Sequence, residues 1–166
     1  MAAWEFQTLQ NIAEKHNWHK FISMQNYYNL LYREEEREML PLCKAEGIGV
    51  IPWSPMARGR LTRDWSEQTE RLRTDQFGKT LYANTEDADR RIVEEVGAIA
   101  KARGVSRAQV ALAWVLGKPE ITAPIIVATK PHHLDVAVAA LTLKLDDSDT
   151  KRLEELYVPH ATTGFS

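Results

Sequence analysis

Residues 47–61 read Gly-Ile-Gly-Val-Ile-Pro-Trp-Ser-Pro-Met-Ala-Arg-Gly-Arg-Leu, and residues 123–134 read Ala-Pro-Ile-Ile-Val-Ala-Thr-Lys-Pro-His-His-Leu. Each stretch is a short apolar run that ends in polar, glycine or cationic residues. This pattern is typical of a buried parallel strand whose C-terminal end opens onto a phosphate-bearing ligand. The two stretches therefore predict part of a nucleotide-binding site.

The sequence around these stretches predicts the fold class. Short apolar runs predict three strands, at 20–25, 48–52 and 124–128, and the second of them is rich in β-branched residues. Helical spacing of apolar residues predicts helices over 4–16, 33–46, 87–103, 131–141 and 147–157, and a capping box at 106–109 begins one more. Apolar strands that alternate with helices imply an α/β fold with a parallel sheet and right-handed crossovers.

Two segments interrupt this regular pattern. Pro41 lies inside the helix predicted over 33–46 and should kink it, while Gly47 should end it in a left-handed conformation. Residues 62–84 lose their periodicity but stay highly charged. They predict a long surface loop within a single domain of 166 residues.

Composition excludes several classes of function. With 21 basic and 23 acidic side chains, a net charge of −2, the chain gives no reason to expect nucleic acid or an anionic membrane as a partner. No apolar stretch approaches the length of a membrane span, and the N-terminus lacks the pattern of an export signal. Cys43 is the sole cysteine and lies on an apolar helix face, so neither a disulfide nor a catalytic thiol is expected. We therefore expect a globular, cytoplasmic protein.

The residues that follow the first two predicted strands are candidate ligand contacts. Gln25 ends the first strand, and its amide can exchange hydrogen bonds with a carboxamide such as that of nicotinamide. Trp53 follows the second strand, where its ring can stack on a planar cofactor ring. Each has a simpler alternative, which is a loop amide bonded to backbone for Gln25 and ordinary packing for Trp53.

Two polar clusters suit anionic groups. In 54–59, proline and glycine shape a tight turn whose backbone N–H groups can converge on an anion, while Ser54 and Arg58 add a hydroxyl and a cation. Thr129 and Lys130 precede a predicted helix, so a hydroxyl, an ammonium and a helix N-terminus point to one spot, as expected for a phosphate monoester. A plain surface turn, and a helix cap beside a solvated charge, are the alternatives.

No metal site and no catalytic nucleophile are predicted. His132 and His133 are adjacent and cannot share a helix face, and no group of cysteine, histidine and carboxylate residues has metal-ligand spacing. The glycine-rich dinucleotide motif, the phosphate-binding lysine motif and the serine nucleophile motif are all missing from the sequence.

Taken together, residues 23–37, 51–61 and 124–134 resemble the aldo-keto reductase family, in the branch of aryl-alcohol dehydrogenase-like enzymes and potassium-channel β-subunits. The resemblance covers essentially the whole chain. The family fold is an eight-stranded TIM barrel that binds NADP(H) across its strand ends, so the resemblance implies a partial barrel whose three strands are the sixth to the eighth. It implies the C-terminal half of an enzyme that transfers hydride between NADPH and an aldehyde, a ketone or an aryl alcohol.

The resemblance also implies cofactor roles for individual residues. Gln25 corresponds to the amide that holds the nicotinamide carboxamide, and Trp53 to the platform beneath the nicotinamide. Thr129 and Lys130 correspond to the clamp on the 2′-phosphate, and His133 to a position near the adenosine. The pyrophosphate loop corresponds to Ser54, Pro55, Met56, Arg58 and Gly59, with Arg63 as an extension.

Three departures from the family pattern stand out. Val127 replaces a usual glycine, and Val136 and Ala137 replace the polar residues usual near the adenine. The family's catalytic Asp, Tyr, Lys and His lie on the first four strands, to which no part of this sequence corresponds, so no catalytic residue is predicted and the chain alone should lack turnover.

The missing strands leave two sheet edges, which implies marginal stability or self-association. Two functional alternatives follow. One is a non-catalytic module that senses NADPH or pairs with a full-length paralogue, and the other is a half-barrel that dimerises.

Overall fold

The computed structural model describes residues 1–67, 69, 74–82 and 85–161. Its helices are α1 (Ala3–Lys15), α2 (Met39–Glu46), α3 (Gln76–Tyr82), α4 (Glu86–Arg103), α5 (Arg107–Leu116), α6 (Pro131–Ala140) and α7 (Asp147–Glu154). Its strands are β1 (Ser23–Met24) and β2 (Gly49–Val50), and 3₁₀ turns occupy Glu34–Glu36 and Ala57–Thr62. The α/β character is confirmed, and α1, α4, α6 and α7 lie where periodicity predicted helices.

The two strands form a parallel pair, as predicted, with Ser23 opposite Gly49. The same register continues past the ends of both strands to a bridge between Tyr27 and Trp53. Both strands are shorter than the apolar runs that predicted them. The pairing nevertheless fixes the C-terminal ends of the two runs beside each other.

The third predicted strand, 124–128, does not form. The chain before and within it instead meets β2 through two isolated parallel bridges, Val50 with Ile121 and Trp53 with Ile125. Over the residues that the structure describes, the sheet has two strands with a third segment beside β2, so the third strand of the predicted partial barrel is not confirmed.

A bulge explains the interrupted pairing. Three residue steps separate the two bridged positions on the β2 side, but four separate their partners. The N–H groups of Thr122 and Ala123 both donate to the carbonyl oxygen of Val50, over 2.9 and 3.3 Å. One extra residue in the outer segment thus breaks the alternation of ladder hydrogen bonds.

Helix ends follow the expected local chemistry. Gly47 (φ +67°) and Gly104 (φ +65°) end α2 and α4 in the left-handed conformation that glycine adopts most readily. Ser106 and Gln109 form the predicted capping box of α5. The helix predicted over 33–46 is interrupted, because a 3₁₀ turn at Glu34–Glu36 precedes α2, which begins at Met39. Pro41 therefore falls in the first turn of α2, where no intrahelical hydrogen bond is lost, instead of kinking a continuous helix.

Part of the predicted loop 62–84 is helical, which corrects that prediction. Helix α3 lies within it, and its last residue, Tyr82, is buried and hydrogen-bonded to the hydroxyl of Tyr27. This long-range contact stabilises a helix too short to show clear periodicity. Residues 68, 70–73, 83–84 and those beyond 161 lie outside the described residues.

The core lies between the sheet and the helices. Helix α5 packs against α4 and α6, and α7 packs against α4. Tyr28, in the loop after β1, stacks on Trp114 of α5 with ring centroids 5.3 Å apart. The largest fully buried apolar and aromatic side chains are Tyr27, Tyr28, Tyr32, Tyr82, Leu30, Leu31, Leu61, Ile92, Ile99 and Leu153. None of the helices in the described ranges is long and apolar enough to cross a membrane.

Large apolar side chains are exposed on both flanks of the sheet. Phe21 (52% exposed) and Ile22 (84%) lead into β1, while Val127 (77%) follows the segment on the other side of β2. Exposed apolar side chains beside unpaired strand edges favour association.

We expect the purified chain to self-associate through these flanks, so that its weight-average mass in sedimentation experiments rises with concentration. The double substitution Ile22→Lys and Val127→Lys should reduce this rise, because it places charges on both edges. A dilute, monomeric wild-type sample that unfolds in one cooperative thermal transition and shows no association on concentration would contradict the expectation.

Candidate cofactor site

Three chain segments end side by side. The N–H of Trp53 donates to the carbonyl oxygen of Asn26 over 2.9 Å, and the N–H of Ile125 donates to that of Pro52 over 2.8 Å. Because all three segments pair in parallel, they leave the sheet at the same end. The candidate cofactor residues all lie within ten positions of this end in sequence, and Arg63 is the most distant of them from it.

The first two candidates differ in their surroundings. Gln25 is exposed, whereas Trp53 is partly buried. One face of the Trp53 ring stacks on Tyr27, with centroids 4.4 Å and planes 21° apart. Burial raises the pKa of Tyr27 to about 12, so its phenol stays neutral. Ordinary packing thus accounts for one face of Trp53, and this packing fixes the orientation of the indole at the strand end.

The loop 54–59 has an uncommon backbone. Ser54 (φ +58°), Ala57 (φ +49°) and Arg58 (φ +55°) are all left-handed, as is Gly59 (φ +93°). A residue with a Cβ atom in such a conformation costs on the order of 1–3 kcal/mol, and such residues concentrate at functional sites. Three of them in one short loop support the choice of this turn as a candidate site.

The backbone amides of this loop are already used. Ala57 N donates to Ser54 O over 2.9 Å and Gly59 N to Met56 O over 2.9 Å, while Arg58 N donates to Ser54 Oγ over 3.2 Å. The tight turn is confirmed, but the prediction that its N–H groups converge on an anion is wrong for these three. The turn could bind an anion through its side chains, among which Arg58 carries a positive charge.

The two arginines of this region brace the turn. Arg58 donates from Nε to Asp75 Oδ2 over 2.5 Å and from Nη2 to Asp75 Oδ1 over 2.9 Å. These hydrogen bonds raise the pKa of Arg58 further above its ordinary value. Arg63 donates from Nε to Gly59 O over 2.9 Å and from Nη1 to Thr69 Oγ1 over 2.6 Å. Both guanidinium groups are therefore held by the chain's own oxygens.

The second cluster lies at the start of α6. Lys130 is the N-cap residue and makes no side-chain cap bond, and Pro131 follows as the first helical residue. The N and Oγ1 atoms of Thr129 lie 3.3 and 3.4 Å from His133 Nδ1. Thr129 and Lys130 are exposed, and no ion pair of Lys130 occurs among the described residues. A hydroxyl, an ammonium and an imidazole thus gather at one helix start.

The structure joins the candidates into two groups. The residues of 54–63 are linked by the hydrogen bonds just described, and Thr129 is linked to His133. The two groups are connected through the bridge between Trp53 and Ile125, from which both chain segments emerge in the same direction.

Two residues of the site escape sequence analysis. Asn29 is fully buried, and its Nδ2 donates to Ser54 O over 3.1 Å while its Oδ1 accepts from Leu31 N over 2.9 Å. It thereby supports the left-handed backbone at Ser54. Asp75 holds Arg58, and the only local signal for it is its position as a carboxylate directly before a helix. No local signal predicts its pairing with an arginine so far away along the chain.

Other reactive groups do not enter the site. Cys43 is buried, and burial raises the pKa of its thiol to about 11, which disfavours the nucleophilic thiolate. Within the part of the chain that the structure describes, no group of three or more histidine, cysteine or carboxylate residues could hold a metal ion.

Comparison with known proteins gives a consistent result. The Aldo/keto reductase family model matches residues 2–158. The chain is 50% identical over 163 residues to versiconal hemiacetal acetate reductase of Aspergillus parasiticus, covering 97% of this chain and 47% of that protein. It is 50% identical over 161 residues to a putative aryl-alcohol dehydrogenase of Schizosaccharomyces pombe (96% and 48% covered) and 44% identical over 160 residues to one of Saccharomyces cerevisiae (96% and 46%).

The chain spans about half the length of the curated relatives it matches. The family match nevertheless covers almost the whole of this chain. The protein therefore belongs to the aldo/keto reductase family, whose members are oxidoreductases with a TIM-barrel fold.

Proposed function

We propose that this chain is the NADP(H)-binding, C-terminal part of an aldo-keto reductase that transfers hydride between NADPH and a small aldehyde, ketone or aryl alcohol. The observation that supports this most strongly is the common end of three parallel segments, from which the two polar clusters and Trp53 emerge. The names of the relatives, a hemiacetal acetate reductase and aryl-alcohol dehydrogenases, favour carbonyl and alcohol substrates.

The donor set fits the chemistry of the cofactor. An exposed amide (Gln25) and an oriented indole (Trp53) suit a nicotinamide, which needs a hydrogen-bonding partner and a flat apolar surface. Arg58 suits the pyrophosphate, and Lys130 with Thr129 suits a terminal phosphate monoester. When bound, NADPH would supply the hydride.

The chain's own residues would bind and orient the cofactor. The indole of Trp53 is fixed by its stacking on Tyr27, so it would hold the bound nicotinamide against one face of the indole ring. Tyr27 does not serve as the proton donor in this account, since it is fully buried and its hydroxyl is bonded to Tyr82. Protonation of the substrate oxygen is not assigned to any residue of this chain.

Titration of NADPH fluorescence with the purified chain tests the proposal. We expect a saturable change in NADPH emission, and a weaker response with NADH, because Lys130 and Thr129 would favour the dinucleotide with a 2′-phosphate. Added 2′,5′-ADP, which carries that phosphate without the nicotinamide, should reverse the change. An NADPH signal that stays constant up to high micromolar protein would contradict the proposal.

A further inference from the structure

The side chain of Asp75 occupies the binding edge of Arg58. The carboxylate takes both Nε and Nη2, at 2.5 and 2.9 Å, so the contact is bidentate. The two side chains are 26% and 14% exposed, which places the pair at the margin of the core. Asp75 Oδ1 also accepts the N–H of Gly78 over 2.9 Å and so caps the start of α3.

The absence of a side chain at Gly78 leaves room for the Arg58–Asp75 pair. A Cβ atom on Gly78 would lie 2.6 Å from Asp75 Oδ2 and 3.4 Å from Arg58 Nε, so a larger residue there would displace the carboxylate. Further along α3, Tyr82 bonds to Tyr27 and lies beneath the guanidinium of Arg60, whose Cζ is 4.5 Å from the ring centroid. Helix α3 is therefore attached to the 54–62 loop at both of its ends.

A guanidinium presents its Nε and Nη2 atoms to one oxyanion at a time, and either a carboxylate or a phosphate can bind that edge through two oxygens. We infer that Asp75 is an internal competitor for the dinucleotide: its carboxylate must leave the Nε and Nη2 edge of Arg58 before a pyrophosphate oxygen can bind there. Binding then releases the carboxylate that caps α3. This inference rests on the proposed function for the role of Arg58.

The variant Asp75→Asn tests the inference. The asparagine keeps an oxygen for the N–H of Gly78 but loses the charge that holds Arg58. We expect it to bind NADPH and inorganic pyrophosphate about tenfold more tightly than the wild type, since a partly exposed ion pair no longer has to be broken. Calorimetry with each ligand measures the change, and thermal unfolding checks that the variant is folded.

Asp64→Asn is the matched control. Asp64 is exposed (61%), lies in the same region of the chain, and pairs with Arg107 rather than Arg58. The substitution removes the same charge, so it reports the general electrostatic effect, which should be much smaller than the effect at position 75. Asp75→Ser, which also retains a capping oxygen, replaces the asparagine variant if that one does not fold.

A third readout needs no substitution. Addition of pyrophosphate to the isotope-labelled wild type should shift the amide resonance of Gly78, because its hydrogen-bond acceptor moves. Equal or weaker binding of both ligands by the Asp75 variants, or an equal gain in Asp64→Asn, would overturn the inference. If no variant binds NADPH but those at position 75 gain affinity for pyrophosphate, the competitor role stands and the proposed function fails.

Discussion

Replacement of Lys130 by methionine should lower the affinity for NADPH by roughly 30- to 100-fold and leave the affinity for NADH almost unchanged. The estimate corresponds to the loss of a charge-assisted hydrogen bond to a phosphate, about 2–3 kcal/mol. Lys130 is exposed at the start of α6 and makes no side-chain cap bond, so its removal should not disturb the fold. Parallel fluorescence titrations with NADPH and NADH measure the selective loss.

Lys101→Met is the control for this substitution. Lys101 is also an exposed lysine, but it lies in the last turn of α4. The Lys101→Met substitution should change the affinities for NADPH and NADH by no more than about twofold, because an exposed charge outside the site is screened by solvent and salt. A loss that is equal for the two dinucleotides in Lys130→Met would contradict a role for Lys130 at the 2′-phosphate.

Replacement of Arg33 by alanine should lower the free energy of unfolding by about 2–3 kcal/mol, between the values for exposed and fully buried ion pairs. Arg33 is 13% exposed, donates to both Oε atoms of Glu36 over 2.9 and 2.7 Å, and reaches Glu154 Oε2 over 3.1 Å. Its guanidinium also lies over the rings of Trp114 and Tyr157, at 5.6 and 5.3 Å. The arginine thus joins the turn after β1 to α5 and α7, and denaturant unfolding measures its contribution.

Arg37→Ala provides the comparison. Arg37 lies four residues away and pairs with Glu34 over 2.6 Å, but it is 62% exposed. Its loss should cost less than about 0.5 kcal/mol, as is usual for exposed pairs. Equal losses for the two arginines would show that the inner network adds nothing beyond surface charge.

The Arg33 network also predicts a dependence on pH. Burial alone would raise the pKa values of Glu36 and Glu154, but hydrogen bonds from Arg33 to Glu36 and from Lys118 to Glu154 outweigh it and lower both. A carboxyl group whose pKa is lowered by folding stabilises the fold at pH values above its ordinary pKa of 4.5. This contribution is lost as the pH falls through the pKa of the folded state. The stability difference between the wild type and Arg33→Ala should therefore shrink below that pH.

Local sequence chemistry predicted most of the helical structure. The spacing of apolar residues located α1 and α4, and the left-handed glycines at 47 and 104 ended helices as expected. The Ser106 capping box was equally readable, because a cap depends on residues within one turn. Helix α3 was missed because it is short and is held by Tyr82, whose partner lies far away in sequence.

The predicted strand at 124–128 could not be tested from the local sequence alone. The run 124–128 has the composition of a strand, but whether it pairs depends on its register with β2, and one extra residue interrupts that register. A bulge of this kind cannot be seen in the run itself.

The candidate site was predictable in its position but not in its detail. Sequence placed Ser54 and Arg58 at the end of a strand, and the structure pairs that strand end with its neighbours. Sequence could not reveal the left-handed backbone at Ser54 and Arg58, because non-glycine residues adopt it only under support from distant groups such as Asn29. The same holds for Asp75, whose pairing with Arg58 depends on the tertiary fold.

We propose that the 54–59 loop and the start of α6 bind one dinucleotide together. The most direct test follows the backbone amide resonances of the isotope-labelled chain during a titration with NADPH. We expect the amides of Ser54, Arg58, Thr129 and Lys130 to shift in parallel and to fit a single dissociation constant. Shifts confined to one of the two clusters, or shifts only elsewhere in the chain, would contradict it.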